Sequence, residues 1–258
     1  MIGVIGGMGV YAGTDLVDKI SAATVALNDQ DYLPVMLLSL PDRIPDRSAF
    51  ALGADTSVNP GEVVAAQVKV LAAAGCRICG IACNTFHLDR MYQHVRQVED
   101  VDLVSIVDTT CLVLESNTSD VGAVAVLGTR GTMNLGLYES RLRDLGVPTV
   151  PVPTTVADKV SEAIRAVPNG LKIQALRPSR EAVENVVQAV EGCREVGADT
   201  VVLGCTELPF VLRDETARRR LAMTGLKIVD PAQLLARELV RRFAPSKLAA
   251  GSWHVALD

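Results

Sequence analysis

The chain has 258 residues, of which 49% are apolar and 21% charged, enough for one large domain or two of about 100–150 residues. A net charge of −5 and an aromatic content of 3% argue against nucleic-acid binding, because they offer neither a basic surface nor rings for base stacking. No apolar stretch approaches the about 20 residues that span a membrane, and the first residues lack the basic region of a signal peptide. We therefore predict a cytoplasmic globular protein with free thiols.

Apolar runs of strand length alternate with amphipathic helical patterns along the chain. The predicted strands cover residues 2–5, 35–39, 78–82, 103–106, 123–127, 149–152, 200–203 and 227–229. The predicted helices cover residues 12–27, 60–74, 88–99, 110–116, 136–145, 155–165, 179–196 and 231–243. Near-continuous apolar strands separated by helices are typical of parallel sheets covered on both faces. The pattern predicts an α/β fold.

Two cysteines stand in matching sequence frames. Gly80-Ile81-Ala82-Cys83-Asn84-Thr85 corresponds to Val202-Leu203-Gly204-Cys205-Thr206-Glu207. The spacing from Cys83 to Cys205 also separates Gly75 from Gly197 and Gly6 from Gly128. We infer two pseudo-symmetric Rossmann-like lobes with parallel sheets and an active site in the cleft between them. The first lobe is predicted over residues 1–107, completed by about 225–243, and the second over 108–224, with a frayed C-terminal tail at 244–258.

Both cysteines fall at the carboxyl ends of predicted strands, where open parallel sheets bind their ligands. A thiol at the start of a helix lies near the positive end of the helix dipole, which predicts a pKa below its usual value of about 8.5. Two opposed thiols suit the removal of a proton from one face of a carbon and its return to the other. The alternative is that Cys83 and Cys205 are small buried hydrophobic residues, as free cysteines often are.

Cys76, Cys79 and Cys83 form a C-x2-C-x3-C pattern, for which a metal site must be weighed. We predict no metal, because Cys76 and Cys79 would point to opposite faces of one extended strand, whereas a metal knuckle needs a turn. A thioredoxin-like redox pair is disfavoured, since that motif opens a helix. Cys111 and Cys193 fall in helical patterns and are predicted to lie in the core.

Other polar and glycine-rich segments follow the predicted strands. Gly6-Gly7-Met8-Gly9 and Gly128-Thr129-Arg130-Gly131-Thr132 lack a nucleotide-binding fingerprint but suit a close approach of backbone to a small ligand. Arg47 follows the second strand, where it either pairs with a substrate carboxylate or is an ordinary surface arginine. His87, one helical turn after Cys83, is interpreted as support for the loop. Glu207 either tunes Cys205, binds an ammonium group or serves as a first-turn acid.

Together these segments resemble the cofactor-independent aspartate/glutamate racemase family. The resemblance rests on Gly6–Gly9, Pro45–Ser48, Cys83–His87, Gly128–Met133 and Gly204–Glu207, which span nearly the whole chain in the family's order. It implies a homodimer that uses no cofactor and acts on a small acidic amino acid. It also implies that Cys83 and Cys205 are the two acid/base residues. The substrate-binding residues that it implies are Met8, Arg47, Asn84, Thr85, Thr129, Thr206 and Glu207.

Within the resemblance, Arg47 matches the residue that binds the side-chain carboxylate. Glu207 stands where glutamate racemases usually have histidine, which favours the aspartate branch. The chain departs from the family at Val10, where proline is usual, and at Phe86, where a small residue is usual. The family's basic residue in the second lobe has no clear match, and only Lys172 or Arg165 could substitute for it.

The leading hypothesis is therefore a racemase that interconverts L- and D-aspartate, or glutamate, by proton abstraction and donation from two cysteines. The alternative enzyme is a relative acting on another small acid, such as a broad-range amino-acid racemase, a hydantoin racemase or a maleate-type isomerase. The alternative outside catalysis is a two-lobed protein that only binds a small ligand. Such a protein has no need of matched cysteines, so the repeat favours an enzyme.

Overall fold

A computed structural model describes residues 1–257 of the chain. Its strands are β1 (Ile2–Ile5), β2 (Val35–Leu38), β3 (Ile78–Ile81), β4 (Asp102–Val104), β5 (Val124–Gly128), β6 (Thr200–Gly204) and β7 (Lys227–Val229). Its helices are α1 (Val10–Ala22), α2 (Arg47–Ala51), α3 (Pro60–Ala73), α4 (Asp89–Arg96), α5 (Ile106–Ser116), α6 (Thr118–Val121), α7 (Arg130–Asn134), α8 (Glu139–Asp144), α9 (Thr154–Arg165), α10 (Leu171–Gln174), α11 (Arg180–Glu195), α12 (Glu215–Met223) and α13 (Pro231–Phe243). None of these helices has both the length and the apolar content that crossing a bilayer requires.

The chain divides into two compact units. Unit 1 comprises Met1–Thr109 and Ala232–Gly251, and unit 2 comprises Thr110–Pro231 together with residues 252–257. The sheet of unit 1 has the strand order β2-β1-β3-β4, and that of unit 2 has the order β5-β6-β7, with parallel pairing throughout. The predicted α/β class with two parallel sheets is confirmed. The strand predicted at 149–152 is reduced to a single parallel bridge between Thr149 and Val124.

The strand register reproduces the sequence repeat. In unit 1, Ile5 on β1 pairs with Ile81 on β3. In unit 2, Leu127 on β5 pairs with Leu203 on β6. Leu127 follows Ile5, and Leu203 follows Ile81, by the same number of residues that separates Cys205 from Cys83. The two frames are therefore equivalent in structure as well as in sequence. In each unit the cysteine strand therefore lies beside the strand that enters the glycine turn.

Local capping and apolar burial explain why the longer helices form where they do. Helix α3 starts with Pro60 after an Asn59 cap, whose Oδ1 accepts from the Gly61 N–H at 2.8 Å. Helix α11 buries Val186 and Val190 completely in the core of unit 2. Each such side chain stabilises the fold by about 1.5–3 kcal/mol relative to an exposed one, so the apolar stripe fixes the face that packs on the sheet.

The expectation that Cys76 and Cys79 point to opposite faces is wrong. Strand β3 begins only at Ile78, so Cys76 precedes it and escapes the alternation of the strand. Both side chains pack against Gly3, where an added Cβ would clash with Cys79 Sγ and lie 3.2 Å from Cys76 Cβ. Gly3 is therefore a packing requirement of this buried thiol pair. Within residues 1–257, no group of three or more His, Cys, Asp or Glu side chains is arranged to hold a metal ion.

The C-terminal segment is not the frayed end that its composition predicted. Leu248 forms an antiparallel bridge with Thr24, and the Ala249 N–H donates to the Ala23 carbonyl at 2.9 Å. Further on, the Val255 N–H donates to the Ile228 carbonyl at 2.8 Å, beside β7. Backbone pairing to both units thus orders a stretch that lacks any helical or strand periodicity.

Candidate functional site

Cys83 lies just beyond β3 and is 5% exposed. Its backbone N–H donates to the Ile81 carbonyl at 2.8 Å, so the chain turns sharply as it leaves the strand. The next residues, Asn84 and Thr85, are also buried, and a short 3-10 turn runs from Thr85 to His87. The loop therefore places a thiol, an amide and a hydroxyl together at the carboxyl end of a central strand of unit 1.

His87 supports this loop, as its sequence position indicated. Its Nδ1–H donates to the Cys83 carbonyl oxygen at 2.8 Å, which also fixes the imidazole tautomer at that nitrogen. The ring lies against Tyr92, with 4.4 Å between ring centroids. His87 thus holds the backbone carbonyl of Cys83 in place.

Phe86, the second departure from the family pattern, is a core residue of unit 1. Its side chain is fully buried in the core of unit 1 and meets Tyr92 edge-to-face, with 6.4 Å between ring centroids. Such a contact stabilises by about 0.5–1.5 kcal/mol beyond the area buried. The departure from the family's small residue is absorbed by core packing behind Cys83.

The structure brings Met8 and Arg47 together in unit 1. Arg47 begins α2, which Asp46 caps by accepting from the Ala49 N–H at 2.8 Å. The Arg47 guanidinium donates to the Met8 carbonyl at 3.0 Å and to the Pro45 carbonyl at 3.1 Å. Its Nε is buried and has no hydrogen-bond partner among the described residues. Met8 itself contributes a side chain to the core and a carbonyl that orients the guanidinium.

The glycine turns require glycine because their backbones are crowded. A Cβ on Gly13 of α1 would lie 2.9 Å from the Gly6 Cα, so the helix starts in direct contact with the turn. A Cβ on Gly128 would lie 2.9 Å from the Gly204 carbonyl oxygen. In unit 2 the turn then leads to Thr129, which caps α7 by accepting from the Thr132 N–H at 3.3 Å. Both turns are close backbone contacts beside the cysteine strands.

Cys205 lies at the end of β6 and is held in a connected set of polar side chains. Its Sγ–H donates to Glu207 Oε2 at 3.0 Å, and the Thr206 hydroxyl donates to the same oxygen at 3.3 Å. Lys172, on α10, donates to the other carboxylate oxygen of Glu207 at 3.1 Å. Cys205 is 4% and Glu207 1% exposed, so the thiol and the carboxylate are removed from solvent, whereas the Lys172 side chain is 24% exposed.

The prediction of a lowered thiol pKa is wrong for Cys205. Burial and the negative charge of Glu207 raise the pKa of Cys205 well above its usual value, with Lys172 acting in the opposite direction. The helix dipole expected at this position is missing, because β6 leads into a 3-10 turn at Leu208–Arg213 rather than an α-helix. Burial and the neighbouring carboxylate thus favour the protonated form of Cys205.

The sequence left open the role of Glu207 and the choice of basic residue in the second lobe, and the structure bears on both. Of the three roles considered for Glu207, the geometry shows direct contact with the Cys205 sulfur. Of the two basic residues considered for the second lobe, Lys172 contacts Glu207, whereas Arg165 is exposed at the end of α9. Nothing in the sequence paired Lys172 with Glu207, because they are 35 residues apart and meet only through the tertiary fold.

The family profile described as Asp/Glu/Hydantoin racemase matches residues 5–239 of the chain. A glutamate racemase from Corynebacterium diphtheriae is 27% identical over 220 residues, covering 81% of this chain and 76% of that protein. The structure of an aspartate racemase from Picrophilus torridus is similar with a TM-score of 0.76 and 27% identity, covering 93% of each chain. An aspartate racemase homologue from Pyrococcus horikoshii shares the fold, with a TM-score of 0.68 and 24% identity, covering 93% of this chain and 97% of that one.

Proposed function

The chain belongs to the Asp/Glu/hydantoin racemase family of cofactor-independent isomerases, and from that premise we propose that it interconverts L- and D-aspartate. The observation that carries this proposal is the structural equivalence of Cys83 and Cys205. Each thiol follows a buried central strand, at the same register position beside a glycine turn. Two thiols in such equivalent places suit a reaction in which one carbon is deprotonated on one face and reprotonated on the other.

In the proposed reaction one cysteine acts as a thiolate and the other as a thiol. The thiolate takes the α-proton: the Cα–H bond breaks, an S–H bond forms, and the electron pair stays on the α-carbon and its carboxylate. The second thiol then gives its proton to the opposite face, so that its S–H bond breaks and a new Cα–H bond forms. The α-proton is a very weak acid, so nearby donors must stabilise the carbanion more than the substrate.

Arg47 supports a substrate with a second carboxylate. Its guanidinium is held by two backbone carbonyls, and its buried Nε still lacks an acceptor among the described residues. A buried donor left unpaired costs about 1–3 kcal/mol, which a bound carboxylate would recover. A side-chain carboxylate bound at Arg47 therefore points to an acidic amino acid as the substrate.

Aspartate is favoured over glutamate by Glu207 and by the similarity to the Picrophilus torridus aspartate racemase. Glutamate is the second candidate, which the similarity to the Corynebacterium diphtheriae glutamate racemase favours. A broad-range amino-acid racemase of the same superfamily is the further alternative. We also propose a homodimer, as the family resemblance implies, and sedimentation velocity measures it directly.

The test is α-deuteration of single enantiomers in deuterium oxide, followed by NMR across a panel of L- and D-amino acids. The wild-type protein should label and racemise aspartate. Cys83→Ser and Cys205→Ser should each abolish racemisation, because a serine hydroxyl is too weak an acid and too poor a base. Cys193→Ala, which removes a buried thiol from α11, is the matched control and should racemise. Near-wild-type racemisation by either serine variant would exclude the two-thiol mechanism.

A further inference from the structure

The short helix α2 carries Arg47 as its first residue, and its two ends are held differently. Asp46 caps the N-terminal end by accepting from the Ala49 N–H at 2.8 Å. Residues 52–58, which follow the C-terminal end, are all exposed. A helix of five residues is not stable by itself, and the last carbonyls of a helix have no partner within it. The placement of Arg47 therefore depends on contacts that α2 makes with other parts of unit 1.

Arg90 of α4 makes two such contacts at the C-terminal end of α2. Its Nη1–H donates to the Ala51 carbonyl at 3.0 Å, and its Cζ lies 5.1 Å from the centre of the Phe50 ring. A cation beside the last carbonyls of a helix interacts favourably with the helix dipole, and a cation over an aromatic face adds a second attraction. Phe50 is itself buried in the core of unit 1. Arg90 thus holds the end of α2 that its own capping residue does not reach.

The backbone that carries Arg90 is held in place by α3. The Arg90 carbonyl accepts from the side-chain amide of Asn59, the residue that caps α3, at 3.1 Å. A Cβ on Gly61 would clash with the Met91 carbonyl oxygen, so the backbones of α3 and α4 are in direct contact at this point. The Arg90 side chain therefore reaches α2 from a fixed position.

We propose that Arg90 is a positioning residue, which fixes Arg47 through α2 and so sets how tightly an acidic substrate binds. Helix α4 begins at Asp89, and a single residue separates it from the 3-10 turn that follows Cys83. Arg90 thus connects the helix that bears the carboxylate-binding guanidinium to the segment that bears the thiol. It lies outside the segments on which the family resemblance rests. The proposal rests on the racemase function proposed above and deepens it by adding an indirect determinant of substrate affinity.

Loss of the Arg90 guanidinium should weaken the binding of aspartate rather than slow the proton transfers. The side-chain carboxylate does not react, so a contact with it is equally strong in the bound substrate and in the transition state, and its loss appears in KM. Arg90→Met removes one charged hydrogen bond and one ring contact, and should raise the KM of aspartate about 10-fold with kcat within about 2-fold. A purely structural role would instead reduce the folded fraction, which lowers kcat and leaves KM unchanged.

Initial rates of aspartate racemisation, followed by circular dichroism, give both constants. Arg90→Lys should keep KM within about 3-fold of the wild-type value, because an ammonium group can still donate to the Ala51 carbonyl and lie over the Phe50 ring. Arg96→Met is the matched control and should leave both constants unchanged. The Arg96 Cζ lies 4.8 Å from the centre of the Tyr92 ring, so this variant loses a ring contact of the same kind within α4 itself.

A double-mutant cycle with Arg47→Lys tests whether Arg90 acts through Arg47. In the Arg47→Lys background, Arg90→Met should change the KM of aspartate by less than about 2-fold, because the guanidinium that Arg90 places is no longer there. Independent contributions would instead multiply, and Arg90→Met would raise KM by the same factor in both backgrounds.

The possible results separate the two proposals. A rise in the KM of aspartate that disappears in the Arg47→Lys background supports the positioning role. An unchanged KM, a loss confined to kcat, or an equal rise in KM in both backgrounds would overturn it and leave the racemase intact. Should Arg90→Met not fold, Arg90→Gln, which has no charge, should raise KM in the same direction, and an unchanged KM there would count equally against the proposal. Absence of racemisation by the wild-type protein with every amino acid would overturn the proposed function and the positioning role with it.

Discussion

Replacing Arg47 with lysine tests whether its guanidinium recognises a substrate carboxylate. In the structure two of its nitrogens donate to the Met8 and Pro45 carbonyls, at 3.0 and 3.1 Å. Its buried Nε has no acceptor among the described residues. Lysine keeps the charge but offers one nitrogen on a flexible stem, so it cannot hold both carbonyls and a carboxylate in one geometry.

The expected loss follows from the hydrogen bonds that lysine cannot reproduce. A hydrogen bond to a charged group contributes about 1.5–3 kcal/mol, and each 1.4 kcal/mol corresponds to about a factor of ten. Arg47→Lys should therefore lower kcat/KM for aspartate by about 10- to 150-fold. The loss for alanine, which has no side-chain carboxylate, should be smaller.

Racemisation of aspartate is followed by circular dichroism, and α-deuteration of alanine by NMR. The matched control is Arg43→Lys, since the Arg43 side chain lies in the same loop and is 72% exposed, in a surface ion pair with Asp42 that contributes little. It should leave both rates unchanged. Equal, small effects of Arg47→Lys on aspartate and alanine, no larger than those of Arg43→Lys, would refute carboxylate recognition and make Arg47 a structural residue of the loop.

Three further measurements check the rest of the reasoning. Phe86→Ala should lower the free energy of unfolding by about 3–5 kcal/mol, because it leaves a cavity where a fully buried ring was packed. Urea unfolding measures this as a lower midpoint, and a change below about 1 kcal/mol would contradict the packing of Phe86. At pH 8, iodoacetamide should leave Cys79 and Cys193 unmodified in the native protein, since burial raises the pKa of each thiol to about 12. Mass spectrometry after a short exposure detects the alkylated cysteines, and labelling of either residue would contradict this expectation. Racemase activity should survive EDTA and hydroxylamine, because acid/base chemistry by two thiols needs neither metal nor pyridoxal phosphate, whereas loss in EDTA with recovery on adding zinc would indicate a metal site.

Much of the fold was predictable because four of the described strands, β1, β3, β5 and β6, are buried on both faces. Such strands leave continuous apolar runs in the sequence, and the helices between them leave a stripe of apolar residues at helical spacing. Short or polar helices leave no such pattern. Helix α12 is set by the Asp214 cap, whose Oδ1 accepts from the Ala217 N–H at 2.9 Å, and buries only Ala217 and Leu221. Helices of four or five residues, such as α2 and α10, have too few turns for periodicity to show.

Part of the candidate site could also be predicted from the sequence, and part could not. The matched frames of Cys83 and Cys205 were visible in the sequence, because equivalent register in a repeated fold requires equal spacing along the chain. The hydrogen bond from His87 to the Cys83 carbonyl was also predictable, since one helical turn separates the two residues.

The electrostatic environment of Cys205 could not be read from the sequence and follows from the tertiary fold. A pKa depends on burial and on charges within a few ångströms, and residues distant in sequence supply both. The sequence placed Cys205 at a strand end and predicted a lowered pKa, but the fold buried it against Glu207, and α10 brought Lys172 to the other side of that carboxylate. Equal spacing along the chain was enough to single out Cys83 and Cys205 as the candidate acid/base pair, whereas burial and charge in the fold set the pKa of Cys205.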